Sequence, residues 1–273
     1  MRVGVGSYAY RWAVAGASNG SGYSLRMMLD DAVGMGCSVL QIADSRELDG
    51  MTASELEALQ ATAHGQQVKL EAGTSGATPD RLRQYLDVSR LLGSDVLRVV
   101  LHGGDADLTL DDAEQALRSV AASYEREGVT IAIENHFMTA SEDLVALVER
   151  IGSPAVGICV DVANSIMSGE WPRETIPQLM PYAAGIHVKD YAVEPDADGV
   201  GGHVVGRRLG EGWLDLAWVL QQVQARDRAV DADLSLIVEQ WCPRAATHAE
   251  TVEQEARWRA FGVETLKSAL AVL

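Results

Sequence analysis

The sequence lacks any apolar run of about 18 residues or more, so it predicts no transmembrane helix. Its first residues, MRVGVGSYAYRW, also lack the basic region, the long apolar segment and the small-residue cleavage site of a signal peptide. We therefore expect a cytoplasmic protein that does not bind a membrane.

Basic residues are scarce in this chain. There are 22 lysines and arginines against 39 aspartates and glutamates, which leaves a formal net charge of -17. A surface this acidic repels phosphate backbones, so nucleic-acid binding is not expected. A local basic pocket is still sufficient to hold one carboxylate of a small substrate.

Cysteine is also rare. The three cysteines are far apart in the sequence, and they are Cys37, Cys159 and Cys242. Their odd number and their spacing predict neither a zinc finger nor a disulfide framework. We expect reduced thiols in or near strands.

What the sequence does contain is a regular alternation of short β-type runs and longer helical stretches. The predicted strands cover residues 3–7, 39–42, 68–71, 96–101, 129–134, 156–161, 183–188 and 234–239. The predicted helices cover 25–35, 53–64, 79–92, 110–127, 142–151, a stretch interrupted by Gly169 and Pro172, 214–225 and 249–270. Strands separated by helices pair in parallel through right-handed crossovers, and eight such units match a closed barrel. We therefore predict one (β/α)8 TIM barrel domain over residues 1–273.

An open doubly wound sheet is the alternative architecture. It is disfavoured because Gly4 and Gly6 do not continue as a G-x-G-x-x-G turn, and no helix is expected directly after the first strand. Two long irregular stretches are expected, at residues 9–24 and 191–213. Long loops of this kind in a compact domain are usually functional or mobile.

Four consecutive predicted strands end in groups that can bind a metal ion. In IAIENH, GICVDVANS, GIHVKDY and LIVEQW the apolar runs lead to Glu134, Asp161, His187 and Glu239. The carboxyl ends of barrel strands share one rim, where the active sites of this fold lie. Three carboxylates crowded there would repel one another, and a divalent cation removes that conflict. Carboxylate oxygens and an imidazole suit Mn²⁺, Mg²⁺, Co²⁺ or Fe²⁺, and Zn²⁺ is a further option.

These four segments and RRLGEGWLD resemble the xylose isomerase-like barrel superfamily, and the resemblance extends over almost the whole chain. That superfamily includes sugar isomerases, ketose 3-epimerases, hydroxypyruvate isomerases, dehydratases and endonuclease IV. The resemblance implies one divalent metal ion, foremost Mn²⁺ or Mg²⁺, held by Glu134, Asp161, His187 and Glu239, with both glutamates catalytic. It also implies an isomerase or epimerase that forms an enediolate from a small keto-sugar or sugar acid, and a homodimer or homotetramer.

Two features bear on the implied reaction. Ketose epimerases carry a histidine three residues after the strand-six aspartate, where this chain has Asn164, and an asparagine cannot relay a proton. The segments GSYAYRWAV and QIAD resemble a subgroup that includes 3-oxo-isoapionate decarboxylase. The alternative function is therefore a metal-dependent lyase, either a decarboxylase of a 3-oxo sugar acid or a dehydratase. A sugar-binding barrel without catalysis is a third hypothesis.

Further groups near the predicted rim are candidate substrate-binding residues: Tyr8, Trp12, Gln41, Glu71, His102, Asn135, Asn164, Lys189 and Arg208. The aromatic rings after the first strand could cover a sugar face or pack under a loop. Gln41 and Glu71 are expected to end the second and third strands, with Glu71 alternatively supporting a neighbouring residue. Lys189 shares the strand face of His187 because side chains alternate along a strand.

The positions of two arginines in the predicted elements indicate what each of them binds. Arg98 lies in mid-strand among apolar neighbours, so a buried ion pair with Glu71 or Asp44 is expected. Arg208 follows the seventh strand and could clamp a carboxylate through two parallel hydrogen bonds, or remain solvated.

Overall fold

The computed structural model describes residues 1–15, 23–103, 108–226 and 234–273. Its strands are β1 (Arg2–Gly6), β2 (Val39–Ala43), β3 (Lys69–Ser75), β4 (Val96–Val100), β5 (Thr130–Glu134), β6 (Val156–Asp161), β7 (Ala183–Val188), β8 (Asp190–Pro195), β9 (Gly202–Arg207) and β10 (Ser235–Val238). Eight of them form a closed parallel barrel in the order β1-β10-β7-β6-β5-β4-β3-β2. Because β1 pairs with both β10 and β2, the predicted (β/α)8 barrel is confirmed and the open sheet is wrong.

Helices surround the barrel. They are α1 (Arg11–Ala15), α2 (Leu25–Gly34), α3 (Arg46–Gly50), α4 (Ala53–Gly65), α5 (Pro79–Leu92), α6 (Leu110–Glu127), α7 (Ser141–Ile151), α8 (Pro172–Leu179), α9 (Leu216–Ala225) and α10 (His248–Ala271). Thr52, Thr109 and Thr247 begin α4, α6 and α10 with reciprocal side-chain caps, which satisfy backbone N–H groups that the first turn leaves open. Within the described ranges, no helix combines the length and the apolar character needed to cross a bilayer.

The core lies on both faces of the barrel sheet. All six residues of β6 are buried, because parallel strands carry side chains into the barrel on one face and against helices on the other. Polar residues can therefore enter the barrel interior only where they bond with one another, and this restriction shapes the site below.

The third strand continues beyond its predicted end at 71 to Ser75. Alanine and glycine at 72–73 have weak strand propensity, which is why the sequence pattern ends the strand early. The glycine is required here, because a Cβ at Gly73 would lie 2.7 Å from the Cβ of Ala43. The prediction that Glu71 ends the strand is wrong, since Glu71 lies near the strand's beginning.

The stretch expected to be irregular at 191–213 contains an antiparallel hairpin. β8 and β9 pair from Asp190 with Arg207 to Pro195 with Gly202. The hairpin packs on the segment after β10, where a side chain at Gly206 would collide with the backbone of Trp241. The Asp190 carboxylate accepts backbone hydrogen bonds from Gly210 at 2.9 Å and Gly212 at 3.0 Å, which ties the loop after the hairpin to the end of β7.

The other expected irregular stretch, 9–24, is described in part. A 3-10 turn, Ser7–Tyr10, and then α1 follow β1 directly, so the expectation that no helix follows the first strand is wrong. Residues 16–22 of that stretch lie outside the described residues. The turn and α1 bring Tyr8 and Arg11 over the carboxyl end of the barrel.

Candidate active site

The four predicted metal ligands converge at the carboxyl end of the barrel. His187 Nδ1 lies 3.3 Å from Glu134 Oε2, 3.4 Å from Glu239 Oε1 and 3.7 Å from Asp161 Oδ2. All four residues are buried. We call this group the ligand cluster.

Strand register brings these side chains to one level. β5 and β6 end at Glu134 and Asp161, and Glu239 directly follows β10. His187 is paired with Asp161 across β6 and β7 and with Ile237 across β7 and β10. Parallel neighbours in register therefore deliver the ligand cluster to a single point on the rim.

Hydrogen bonds orient the carboxylates within the ligand cluster. Asp161 Oδ1 accepts the backbone N–H groups of Ala163 and Asn164, each at 2.9 Å, which leaves Oδ2 facing His187. The Asn164 side-chain amide donates to Glu134 Oε1 at 2.7 Å. Asn164 thus supports a carboxylate.

Lys189 carries a buried positive charge into the ligand cluster. Its Nζ lies 2.6 Å from Asp161 Oδ2 and 3.0 Å from Glu239 Oε2. The side chain extends on the same side as His187, as strand alternation predicts. Although burial raises the pKa of the Asp161 carboxyl, the attraction of Lys189 holds it well below its usual range.

Arg98 supplies a second buried positive charge from β4. Its Nε lies 2.5 Å from Glu134 Oε2, and its Nη1 lies 2.8 Å from Asp44 Oδ2. Of the two expected partners, the structure shows Asp44. Burial raises the pKa of Glu134, but the attraction of Arg98 outweighs that effect and holds it below its usual value.

The ligand cluster fits a divalent cation. His187 Nδ1 is buried with no hydrogen-bond partner, while Nε2 lies 2.7 Å from Gln41 Oε1 and is the ring nitrogen that donates. The unpartnered nitrogen therefore faces three carboxylates. Donor atoms within 4.8 Å of one another occur in two subsets, Asp161–His187–Glu239 and Glu134–Cys159–His187. A set rich in carboxylate oxygen with one imidazole suits a hard or intermediate divalent ion.

Gln41 and Glu71 lie deeper in the barrel than expected. Gln41 donates from Nε2 to Glu71 Oε2 at 3.1 Å, and Ser235 donates to Glu71 Oε1 at 2.5 Å. Their predicted places at strand ends are wrong, because β2 continues to Ala43 and β3 to Ser75. Their polar groups bond to one another beneath the ligand cluster, and neither residue lines the two cavities described next.

Two cavities lie beside the ligand cluster and share Tyr8 and Arg11, whose Oη and Nη1 are 2.6 Å apart. The larger, of about 690 Å³, is lined among others by Ser7, Asp44, Arg46, Arg98 and Glu239. The smaller, of about 400 Å³, is lined among others by Trp12, Phe137, Gln240 and Trp241. The aromatic groups predicted after the first strand thus reach space that a small ligand could occupy.

Seven of the nine predicted substrate-binding residues line neither cavity, namely Gln41, Glu71, Asn164, Lys189, His102, Asn135 and Arg208. The last three contact other protein groups. His102 Nε2 lies 3.4 Å from Thr139 Oγ1, and Asn135 pairs with the backbone of Asp161 at 2.7 and 2.9 Å. The guanidinium group of Arg208 bonds to Glu211 through two nitrogens and lies 4.6 Å from the ring centroid of Phe261.

Sequence reasoning missed Phe137 and Trp241 as cavity residues. Trp241 lies two residues after Glu239, so alternation along the chain was a usable signal for it. Phe137 lies in the loop after β5, where no periodic pattern predicts the direction of a side chain. Its ring is 6.2 Å from that of Trp241 in an edge-on arrangement, so the two rings form one wall of the smaller cavity.

Comparison with known proteins identifies relatives over nearly the whole chain. The protein-family model described as "Xylose isomerase-like TIM barrel" matches residues 30–260. A 3-oxo-isoapionate decarboxylase from Pectobacterium atrosepticum is 31% identical over 258 residues, which cover 94% of this chain and 92% of the relative.

Solved structures share the fold at lower identity. A D-psicose 3-epimerase from Clostridium cellulolyticum H10 superposes with a TM-score of 0.74 at 13% identity, covering 99% of each chain. A xylose isomerase-like TIM barrel protein from Mycobacterium smegmatis, solved in complex with magnesium, gives a TM-score of 0.71 at 13% identity, covering 98% of this chain and 97% of that one.

Proposed function

The chain belongs to the xylose isomerase-like TIM barrel family, and from that premise we propose that it is a metal-dependent enzyme that decarboxylates a small 3-oxo sugar acid. The observation that carries this proposal is the ligand cluster, in which three carboxylates surround an unpartnered imidazole nitrogen beside a cavity. The decarboxylase relative, at 31% identity over most of both chains, supports the choice of reaction.

In this proposal one divalent ion, Mn²⁺ or Mg²⁺, is held by Glu134, Asp161, His187 and Glu239. When bound, such an ion acts as a Lewis acid and stabilises negative charge that develops on substrate oxygens. Asn164 and the backbone beside it hold two of the carboxylates in place.

The surroundings of Glu134 favour decarboxylation over proton abstraction. One of its oxygens accepts from Asn164 at 2.7 Å and the other from Arg98 at 2.5 Å, and these contacts make the carboxylate a weak base toward a proton on carbon. An epimerase must remove a proton from carbon and return one to the other face. Decarboxylation requires only the return of a proton, because the breaking C–C bond leaves its electron pair on the substrate as an enolate and CO₂ departs.

Glu239 would take a proton from solvent in the larger cavity and pass it to the substrate carbon that CO₂ leaves. It lines the larger cavity, and within the described residues its Oε1 accepts no hydrogen bond. Lys189 holds Oε2 at 3.0 Å and fixes the orientation of the carboxyl group. A positioned acid of this kind contributes about 10²- to 10⁴-fold to a rate.

Arg11 is placed to attract an anionic substrate. The guanidinium group of Arg98 and the ammonium group of Lys189 are committed to buried carboxylates, whereas Arg11 is exposed and lines both cavities. In a chain with a net charge of -17, such a local cation favours binding of one carboxylate. Tyr8, Trp12 and Trp241 would exclude water from the substrate.

An isomerase or epimerase is the second candidate. Glu134 and Glu239 lie on either side of His187 Nδ1, at 3.3 and 3.4 Å, which is an arrangement that two acid–base residues flanking a substrate would need. This reading requires Glu134 to exchange its bond with Arg98 for a bond with substrate.

A combined metal and substrate experiment tests both functions. Purified protein is analysed for bound metal and then incubated with 3-oxo sugar acids, 3-oxo-isoapionate among them, and with ketoses, with Mn²⁺ or Mg²⁺ in D₂O. Stoichiometric CO₂ and one deuterium in the product support the decarboxylase. Deuterium in recovered ketose without gas release supports the epimerase, and no metal with no turnover contradicts both.

A further inference from the structure

A chain of buried polar groups crosses the barrel interior beneath the ligand cluster. It runs from Ser235 on β10 to Glu71 on β3, from Glu71 to Gln41 on β2, and from Gln41 to His187 on β7. All four residues are buried, with exposed fractions of 0 to 2%. We call Gln41 and Glu71 the interior relay.

The order of donors and acceptors along this chain has one consistent solution. The Glu71 carboxylate accepts from the Ser235 hydroxyl at 2.5 Å and from Gln41 Nε2 at 3.1 Å. The Gln41 amide is therefore turned so that its oxygen faces His187, 2.7 Å from Nε2. An amide oxygen can only accept, so Nε2 of His187 must carry a hydrogen.

We propose that the interior relay is a positioning device, which keeps the His187 hydrogen on Nε2 and so presents Nδ1 to a metal ion. The inference rests on the metal site of the proposed function and names residues that determine its affinity. A turned amide would offer an N–H group to Nε2, and the ring hydrogen would then move to Nδ1, where it blocks the ligand atom. Partners beyond the ligands commonly change metal affinity by about 10- to 100-fold.

The arrangement explains how two polar side chains are accommodated in the barrel interior beneath the ligand cluster. A buried carboxylate is costly unless it is hydrogen-bonded. Glu71 has no cation within bonding distance among the described residues, and its two hydrogen bonds come from Gln41 and Ser235. Its effect on the site passes through Gln41, because Glu71 lines neither cavity and, within the described residues, has no hydrogen bond to the ligand cluster.

The test removes each group of the interior relay in turn and then exchanges the amide at position 41 with the carboxylate at position 71. Gln41→Leu and Glu71→Leu should each weaken Mn²⁺ binding, measured by calorimetry, by about 10- to 100-fold. In the double variant Gln41→Glu/Glu71→Gln, the carboxylate at position 41 accepts from His187 Nε2, and the amide at position 71 donates to it and accepts from Ser235. Mn²⁺ affinity should therefore return toward the wild-type value.

Ser94→Ala is the control, since Ser94 is equally buried and bonds to the backbone of β3 and β4 outside the interior relay. It should leave Mn²⁺ affinity unchanged. A second readout is a protected His187 Nε2–H resonance in ¹H–¹⁵N spectra, present in the wild type without metal and with diamagnetic Mg²⁺, and lost in Gln41→Leu.

The outcomes separate the two proposals. Single variants that bind Mn²⁺ as tightly as the wild type, or a Gln41→Leu variant that retains the protected resonance, overturn the interior relay. A double variant as weak as the single variants also overturns it. A wild-type protein that binds no metal overturns the proposed function, and the resonance alone then decides whether the relay orients His187.

Discussion

The two halves of the barrel carry polar residues in different ways. In the ligand half, formed by β5, β6, β7 and β10, a carboxylate or imidazole lies at or next to each strand end and faces its neighbours. In the support half, formed by β1 to β4, Gln41, Glu71 and Arg98 lie within their strands and contact other protein groups. The difference teaches that one half offers atoms to a ligand while the other determines how those atoms are oriented.

The largest expected effect comes from the ligand half. Glu239→Gln should lower kcat for decarboxylation by about 10²- to 10⁴-fold, because it removes the proton donor and weakens one metal ligand. CO₂ release measures turnover, and circular dichroism confirms the fold. Glu253→Gln on exposed α10 is the matched control and should keep full activity. Undiminished turnover in Glu239→Gln would remove this residue from the mechanism.

Lys189→Met probes charge balance in the ligand half. Removing one partner of a buried ion pair leaves uncompensated carboxylates, so metal-free protein should lose about 3 to 5 kcal/mol of unfolding free energy. Urea unfolding in chelator measures the loss, and Mn²⁺ should restore more stability to the variant than to the wild type. Lys69→Met breaks a partly exposed pair with Asp95 and should cost about 0 to 1 kcal/mol. Equal losses in the two variants would contradict this account.

Substitutions at Arg11 and Arg208 test which of the two arginines binds the carboxylate of the substrate. Arg11→Ala should raise KM for a sugar acid by about 10- to 100-fold, the effect of losing a charged hydrogen bond. Arg208→Ala should leave KM unchanged, because Arg208 bonds to Glu211 and lines neither cavity. Steady-state kinetics on both variants measures this, and the reverse ranking would move the substrate to the loop after β9.

The smallest expected effect is the acid dependence of stability. The pKa values of Glu134 and Asp161 lie below the usual range, because nearby cations outweigh burial, which raises them. The stability that these two ionised carboxylates give to the folded protein is complete above their unfolded pKa of about 4. It is lost as the pH falls through their pKa in the folded protein. The urea midpoint of metal-free protein should therefore decrease below about pH 4, and less steeply in Lys189→Met. A wild-type midpoint that stays constant between about pH 5 and pH 3 would contradict this.

Polar residues were placed correctly from the sequence where the end of the strand could be predicted, and wrongly where the strand was longer than its pattern indicates. The strands that end at Glu134 and Asp161 are continuous apolar runs, so the pattern shows where they stop. β3 continues through Ala72 and Gly73, which the sequence pattern assigns to a loop, and Glu71 was therefore predicted to lie at the rim. The hairpin β8–β9 was missed for the same reason, since its glycines and Pro195 indicate irregular chain.

The alternation of strands and helices, and the residue type that closes each apolar run, determined the barrel and the four residues of the ligand cluster. The alternation and the strand-end residue types are local properties, because each can be recognised within a short run of consecutive residues. Only the tertiary structure decided that Arg98 reaches both Glu134 and Asp44, that Arg208 bonds to Glu211 and lines neither cavity, and that Gln41 bonds to His187. These depend on strand register and on close packing between residues distant in sequence, which no local pattern encodes.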